Sequence, residues 1–123
     1  MGMILTTSII YSKEDNAIRT YSVFTNANNT NGIQTDETKK NYSFNASVCK
    51  DESVDRIAKK VFEAVGAKHY LRIDFRMLNG HIPYVIDINM IPGLAPNGYM
   101  ARCMETHGIG YHDFIRMVVN SAY

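Results

Sequence analysis

Cysteine is scarce in this sequence, with Cys49 and Cys103 the only two thiols among 123 residues. Two cysteines are too few for the disulfide framework that stabilises many small secreted domains. We therefore expect both to be ordinary reduced thiols in a cytoplasmic protein.

An excess of charge of one sign is also missing, because 13 Lys and Arg residues oppose 12 Asp and Glu residues. This balance gives no electrostatic basis for binding nucleic acid or an anionic membrane surface. No apolar run is long enough to span a bilayer, and the N-terminus has no basic region followed by an apolar signal core. Hydrophobic residues make up 46% of the chain, which is enough for a modest core in one domain over residues 1–123.

Strand-like and helix-like patterns divide the chain into predicted elements. Runs of β-branched and aromatic residues predict a first hairpin, and two strand-like runs around Asn79-Gly80 predict a second. Apolar residues at helical spacing predict a helix with Asp51 as its N-cap and Gly66 just after its end. In chain order we expect strands 3–11 and 18–25, a long polar loop 26–50, helix 51–66, strands 69–78 and 82–89, and helices 97–107 and 111–121. This order predicts an α+β domain whose mostly antiparallel sheet is covered by helices on one face.

Polar side chains share one face of the second hairpin. Because side chains alternate along a strand, Arg72 and Asp74 lie on one face of the first strand, and Asp87 and Asn89 lie together on the second. A turn at Asn79-Gly80 would place Arg72 opposite Asp87, and a turn one residue later would place Asp74 opposite Asp87. Both registers keep the four polar residues on the same face. In both, the other face of the second strand is formed by Ile82, Tyr84, Ile86 and Ile88.

Two carboxylates on neighbouring strands repel each other unless a positive group lies between them. Oxygen ligands without His or Cys suit a hard cation such as Mg²⁺, which is usually shared with substrate phosphates. Asn89 adds a neutral carbonyl ligand, and Arg72 has the geometry to hold a phosphate oxygen. These residues favour a metal–phosphate site on a sheet face.

A simpler interpretation stays open, in which Arg72–Asp87 and Arg76–Asp74 are ion pairs on a solvated sheet face. The residues after the second strand favour the ligand site over this alternative. Pro92-Gly93 ends the strand, and a predicted helix follows. A glycine lets backbone N–H groups approach a ligand closely, and a helix N-terminus favours anions.

Residues 66–122 resemble the C-terminal part of the ATP-grasp ligases, and the D-alanine–D-alanine ligases in particular. The shared pattern is an Arg-x-Asp strand ending here at Asp74, an acid-x-Asn strand end at Asp87 to Asn89, and Pro92-Gly93 before a helix. This combination is far more specific than any one of its parts.

The resemblance implies Mg²⁺ and ATP as cofactors and assigns roles to the matching residues. Asp74 and Asp87 would bind Mg²⁺, with Asp87 bridging two ions and Asn89 completing the second. Arg72 would hold the transferred phosphoryl group and the later tetrahedral intermediate, and the N–H of Gly93 would help form an oxyanion hole. In these ligases ATP phosphorylates a carboxylate, and an amine attacks the acyl phosphate to form an amide or peptide bond.

Other positions match the family loosely or depart from it. A lysine of a flexible loop closes over ATP in the D-alanine ligases, which makes Lys39 a candidate phosphate contact, with a solvated lysine as the alternative. Gly98 stands where the family has a serine near the substrate carboxylate. Asn97 is a candidate polar substitute, and Tyr99 faces the site in the family pattern. Asp87 stands where the family usually has the longer Glu.

The chain is also shorter than a complete ligase of this family. We therefore expect a fragment or truncated gene product whose missing N-terminal ATP-grasp half would grip ATP, with an amino acid or dipeptide as substrate. The surface meant for that half could drive homodimerisation. Two alternatives stay open: a catalytically inactive nucleotide- or metal-binding module of the same fold, and an unrelated α+β interaction domain.

Overall fold

The computed structural model describes residues 3–25, 46–79 and 82–122. Lys39 and residues 26–45 of the predicted loop lie outside these ranges. The elements in chain order are β1 (Met3–Ser12), β2 (Ala17–Thr25), β3 (Ala46–Cys49), α1 (Glu52–Ala64), β4 (Tyr70–Leu78), β5 (Ile82–Asn89), α2 (Tyr99–Thr106) and α3 (Tyr111–Ala122). Both predicted hairpins and all three predicted helices are present, with ends shifted by one to two residues.

The five strands form one antiparallel sheet in the order β3-β2-β1-β4-β5. Strand β1 lies at its centre, between its hairpin partner β2 and the distant strand β4. The β1–β4 register places Thr6 opposite Asp74 and Ser8 opposite Arg72. The α+β class with an antiparallel sheet is confirmed.

Strand β3 corrects the boundary of the polar loop predicted at 26–50. Residues 46–49 pair with β2, with Cys49 opposite Ser22 and Val48 opposite Val23. This short segment directly follows a run of polar residues, so its own sequence does not identify it as a strand. Its pairing with β2 does. Sequence patterning is weak for edge strands of four residues, because they carry few alternations.

One face of the sheet is covered by α1. Its buried residues Val54, Ala58 and Phe62 recur every four positions, so they form one apolar stripe. Burying a side chain such as Phe62 stabilises the fold by roughly 1.5–3 kcal/mol. The buried cluster on this side consists of Leu5, Ile9, Cys49, Val54, Ala58, Phe62, Leu71, Ile73, Phe75 and Met77.

Helices α2 and α3 pack on the opposite face, which differs from the expectation that helices cover one face only. Ile9 and Ile10 are neighbours on β1 and therefore point to opposite sides of the sheet, and each belongs to a different buried cluster. The second cluster consists of Ile10, Met100, Ala101, Met104, Phe114 and Val118. An apolar stripe in the sequence shows that a helix packs against something, but not on which face of the sheet it lies.

Both thiols are free and buried. Burial raises the pKa of Cys49 and of Cys103 to about 11, so neither is a reactive thiolate near neutral pH. Every helix within the described residues is too short or too polar to cross a lipid bilayer.

The ends of α1 are built as the sequence predicts. The Asp51 carboxylate accepts hydrogen bonds from the N–H groups of Ser53 (2.9 Å) and Val54 (3.4 Å), which have no partner within the helix. After the C-terminal turn, Gly66 has φ +74°, the left-handed conformation that favours glycine.

We expect Asp51→Ala to lower the free energy of unfolding by about 1 kcal/mol, because two helix N–H groups lose their acceptor. Hydrogen bonding from Ser53, foremost, lowers the pKa of Asp51 in the folded state. The stabilisation is therefore present above the unfolded pKa and is lost as the pH falls through the folded pKa. Urea denaturation at several pH values measures both effects. Asp51→Asn is the matched control, because Asn also caps well; an equal loss in both variants would contradict the hydrogen-bond explanation.

Candidate functional site

The register of β4 and β5 brings the predicted polar residues together. Asp74 lies directly opposite Asp87, and Arg72 lies directly opposite Asn89. Two registers were possible from the sequence. At the end of the hairpin away from the turn, the strands adopt the register that pairs the two carboxylates. Opposite residues in an antiparallel pair lie about 5 Å apart and share a face.

A β-bulge corrects the predicted faces of β5. The register shifts between Asp74 and Phe75, so that Phe75 pairs with Val85 and Arg76 pairs with Tyr84. Val85 therefore lies on the apolar face of the hairpin, where alternation predicts Tyr84. Tyr84 lies on the polar face, where alternation predicts Val85. Strict alternation failed here because a bulge inserts one unpaired residue and reverses the faces beyond it.

Asp74 is the most constrained carboxylate of the site. Thr6 donates a hydrogen bond from its hydroxyl to Asp74 Oδ1 (3.2 Å), and the Nη2 of Arg72 donates to Oδ2 (3.4 Å). Burial raises the pKa of Asp74 above its usual value. The Arg72 charge and the two hydrogen bonds oppose this rise, and the nearby Asp87 adds to it. A carboxylate in this condition gains from any further positive charge brought close to it.

The ion pairs proposed for a solvated sheet face do not form among the described residues. Arg72 pairs with Asp74 instead, and this pair is only partly exposed, at 16% and 22% of the two side chains. The Nε of Arg72 is buried and has no hydrogen-bond partner within the described ranges. A buried donor without a partner is costly in a folded protein, and here it belongs to the residue that pairs with Asp74. This arrangement favours a ligand site over surface ion pairing.

The turn after β5 is organised by Asn89. Its side-chain carbonyl accepts a hydrogen bond from the N–H of Ile91 (3.1 Å), which leaves a second lone pair on the same oxygen. Pro92 is buried and Gly93 is exposed. A Cβ at Gly93 would meet no atom within 4 Å, so there is open space around this backbone position for a ligand.

The three predicted substrate contacts lie at the start of α2 and have different surroundings. Tyr99 is the first residue of α2, and the guanidinium carbon of Arg72 lies 5.3 Å from its ring centroid. Gly98 donates its N–H to the carbonyl of Ala95 (3.0 Å), and a Cβ on Gly98 would approach that oxygen to 3.2 Å. Asn97 is exposed and lines a separate cleft of about 530 Å³, together with Pro96, Arg102, Glu105 and Thr106.

The structure therefore brings together Arg72, Asp74, Asp87, Asn89 and Tyr99, whereas Asn97 lines a different cleft. Thr6 belongs to the site but was not predicted from the sequence. Its signal there is slight, because β1 contains three further Ser and Thr residues, Thr7, Ser8 and Ser12. The hydrogen bond to Asp74 became visible only through the β1–β4 pairing, which joins residues 68 positions apart.

The donor set fits a hard divalent cation. It offers two carboxylates and an amide oxygen, which are ligands that Mg²⁺ accepts together with water and phosphate. Among the described residues there is no cluster of three His, Cys, Asp or Glu side chains placed to hold a metal.

Comparisons with known proteins identify the family to which the chain belongs. The family model "D-ala D-ala ligase C-terminus" matches residues 6–120. A D-alanine–D-alanine ligase B of Clostridium perfringens is 27% identical over 71 residues, which are 58% of this chain and 24% of that protein. A D-alanine–D-alanine ligase of Vesicomyosocius okutanii is 28% identical over 76 residues, which are 62% of this chain and 26% of that protein. The chain thus spans about a quarter of the length of these relatives.

Solved structures show the same fold. The D-alanine–D-alanine ligase of Bacillus anthracis complexed with ATP superposes with a TM-score of 0.70 at 20% identity, covering 98% of this chain and 38% of that one. The VanG D-Ala:D-Ser ligase of Enterococcus faecalis gives 0.66 at 13% identity, covering 98% and 36%. Since the family model covers nearly all of the chain, the protein belongs to the D-alanine–D-alanine ligase C-terminal family.

Proposed function

We propose that this chain forms the metal- and phosphate-binding part of an ATP-dependent, ADP-forming ligase that joins a carboxylate to an amine, as in D-alanine–D-alanine ligases. The observation that carries the proposal is the pairing of Asp74 with Asp87 beside the partly unpaired guanidinium of Arg72. The named ligases among its relatives, and the ATP complex of one solved relative, support the same reaction class.

Magnesium would be held by Asp74, Asp87 and Asn89, where it would neutralise charge on phosphoryl oxygens during transfer. Asp87 is one methylene shorter than the Glu usual in the family, which leaves one or two ions as the expected number. The raised pKa of Asp74 gives this residue an energetic reason to bind a cation.

Arg72 has the charge and the free donor to bind a phosphoryl group on a carboxylate substrate. A guanidinium binds phosphate oxygens through several N–H groups at once. The backbone N–H of Gly93 is our candidate donor to the oxyanion that forms when the amine attacks the acyl phosphate. Both residues act on charge that increases during the reaction, so their contributions would be to catalysis more than to ground-state binding.

The substrates are best described as small molecules, an amino acid or dipeptide carboxylate and an amine. Gly98 cannot supply the hydroxyl that the family's serine provides, and its tight contact with Ala95 leaves little room for a side chain. The Tyr99 ring lies 5.3 Å from the guanidinium carbon of Arg72, next to the proposed phosphoryl contact. A cytoplasmic location is part of the proposal, because this reaction uses ATP.

The β4–β5 hairpin offers a surface for the N-terminal ATP-grasp half of such a ligase. Strand β5 lies at the sheet edge, and both of its faces carry exposed apolar side chains. The exposed set in and around this hairpin consists of Leu78, Ile82, Tyr84, Val85, Ile86, Ile88, Met90 and Ile91. Exposed apolar surface of this kind usually marks an interface. Lys39 is retained as a proposed phosphate contact in the complete site.

A chimera tests the reaction. We expect that replacing the matching C-terminal segment of the Clostridium perfringens relative with this chain yields an enzyme that forms ADP in the presence of D-alanine. Asp74→Asn should lower the rate about 100-fold or more, because charge neutralisation by the metal contributes several kcal/mol to phosphoryl transfer.

Binding by the 123-residue chain itself is measured in parallel, by calorimetry with Mg²⁺ and ADP. Asp74→Asn should abolish the Mg²⁺-dependent part of the ADP binding. Asp113 is an exposed carboxylate on α3, so Asp113→Asn should leave that binding unchanged. Mg²⁺-dependent binding with an inactive chimera would favour the alternative of a non-catalytic nucleotide-binding module. Absence of both activity and binding would refute the proposed function.

The titration of Asp74 gives a prediction that needs no nucleotide. Because its folded pKa is raised, the folded state retains a proton that the unfolded state releases, and stability falls as the pH rises from the unfolded pKa through the folded one. Carboxyl ¹³C NMR should show the raised pKa, and added Mg²⁺ should lower it. Asp87→Asn should also lower it, since the Asp87 charge contributes to the rise. A pKa insensitive to both changes would contradict a shared cation between the two carboxylates.

The exposed hairpin predicts self-association of the isolated chain, with a second copy covering apolar surface meant for the N-terminal half. Ile86→Lys should shift sedimentation velocity profiles towards the monomer. Val119→Lys on α3 is the matched control, because the two side chains are similarly exposed, at 52% and 49%. An equal effect of both substitutions would show that association does not depend on the hairpin.

A further inference from the structure

Arg72 is held on two sides by groups of different kinds. Asp74 accepts a hydrogen bond from its Nη2, and the Tyr99 ring lies under its guanidinium at 5.3 Å. Only 16% of the Arg72 side chain is exposed. Its Nε has no hydrogen-bond partner within the described ranges, so the orientation of the guanidinium depends on these two contacts.

We propose that Tyr99 is a positioning residue for the phosphoryl-binding arginine, acting through the face of its ring on the Arg72 guanidinium. This inference rests on the proposed function, because it gives Arg72 its role as the phosphoryl contact. Tyr99 would then have two roles: the expected contact with substrate, and a positioning role that requires an aromatic ring.

The physical basis is a cation–π contact. The face of an aromatic ring carries partial negative charge and attracts a guanidinium within about 6 Å of its centroid. An aliphatic side chain of similar size fills the same space without this attraction. The contact acts on the delocalised charge of Arg72 and not on one particular N–H group, so the donors that Asp74 does not use stay available to a ligand.

Tyr99 is itself well placed to act as a fixed support. It opens α2 directly after the N-cap Gly98, whose N–H is bonded to Ala95. The next two residues of the helix, Met100 and Ala101, are buried in the cluster beneath it. The ring is therefore attached to a packed helix, while Arg72 extends from a strand near the sheet edge. The helix fixes the ring, and the ring in turn fixes the arginine.

The test compares Tyr99→Phe with Tyr99→Leu in the full 123-residue chain, with folding of each checked by ¹H–¹⁵N correlation spectra. The readout is the rate of hydrogen exchange at the Nε–H of Arg72, which needs no nucleotide or metal. Phe keeps the ring face, so this rate should stay within about twofold of that in the original chain. Leu should raise the rate about 3- to 10-fold, which is the range for loss of a partly desolvated cation–π contact.

Two results would overturn the proposal. An unchanged exchange rate at the Arg72 Nε–H in Tyr99→Leu would show that the ring does not position Arg72. Equal increases in the Phe and Leu variants would show that the hydroxyl, and not the ring face, makes the contact. Because neither measurement involves Mg²⁺ or ADP, failure of this inference is distinguishable from failure of the proposed function.

Discussion

The pairing of Asp74 with Asp87 across β4 and β5 is the constraint to which the rest of the site responds. Like charges directly opposite in an antiparallel pair destabilise it, and partial burial of Asp74 adds the cost of desolvation. The Thr6 hydroxyl and the Arg72 guanidinium reduce that cost without removing it, since the pKa of Asp74 is still raised. A sheet that carries such a pair is stable only if other parts of the structure supply the necessary free energy.

That free energy comes from the opposite side of the same strands. Between the polar residues of β4 lie Leu71, Ile73 and Phe75, which are fully buried against α1. Each contributes roughly 1.5–3 kcal/mol by burial, so the strand is anchored by one face while the other is free to hold unfavourable charges. The two helices on the polar face cover it around Ile10, and Asp87 stays exposed. The apolar face provides stability, and the polar face provides a place where a cation and a phosphate can enter.

The sequence was informative where a local pattern decides the structure. Alternation along β4, the caps of α1 at Asp51 and Gly66, and the spacing of apolar residues in α1 were sufficient to predict these elements and the shared face of Arg72 and Asp74. Thr6 could not be assigned to the site, because its pairing with Asp74 depends on β1 and β4 meeting in the sheet. The bulge in β5 was equally out of reach, since nothing in the alternation of the strand marks the residue at which it reverses.

The edge position of β5 connects the site with the proposed assembly. An edge strand with free backbone groups invites pairing with another strand, yet β5 contains Pro83, which has no N–H to donate, and a bulge that increases local twist. Both features disfavour extension of the sheet by a further strand. The exposed side chains of Ile82, Ile86 and Ile88 remain available, so a partner would pack against the faces of the hairpin rather than continue its ladder. Such a partner would also lie next to Asp87, which is on the same strand and is the more exposed of the two carboxylates of the site.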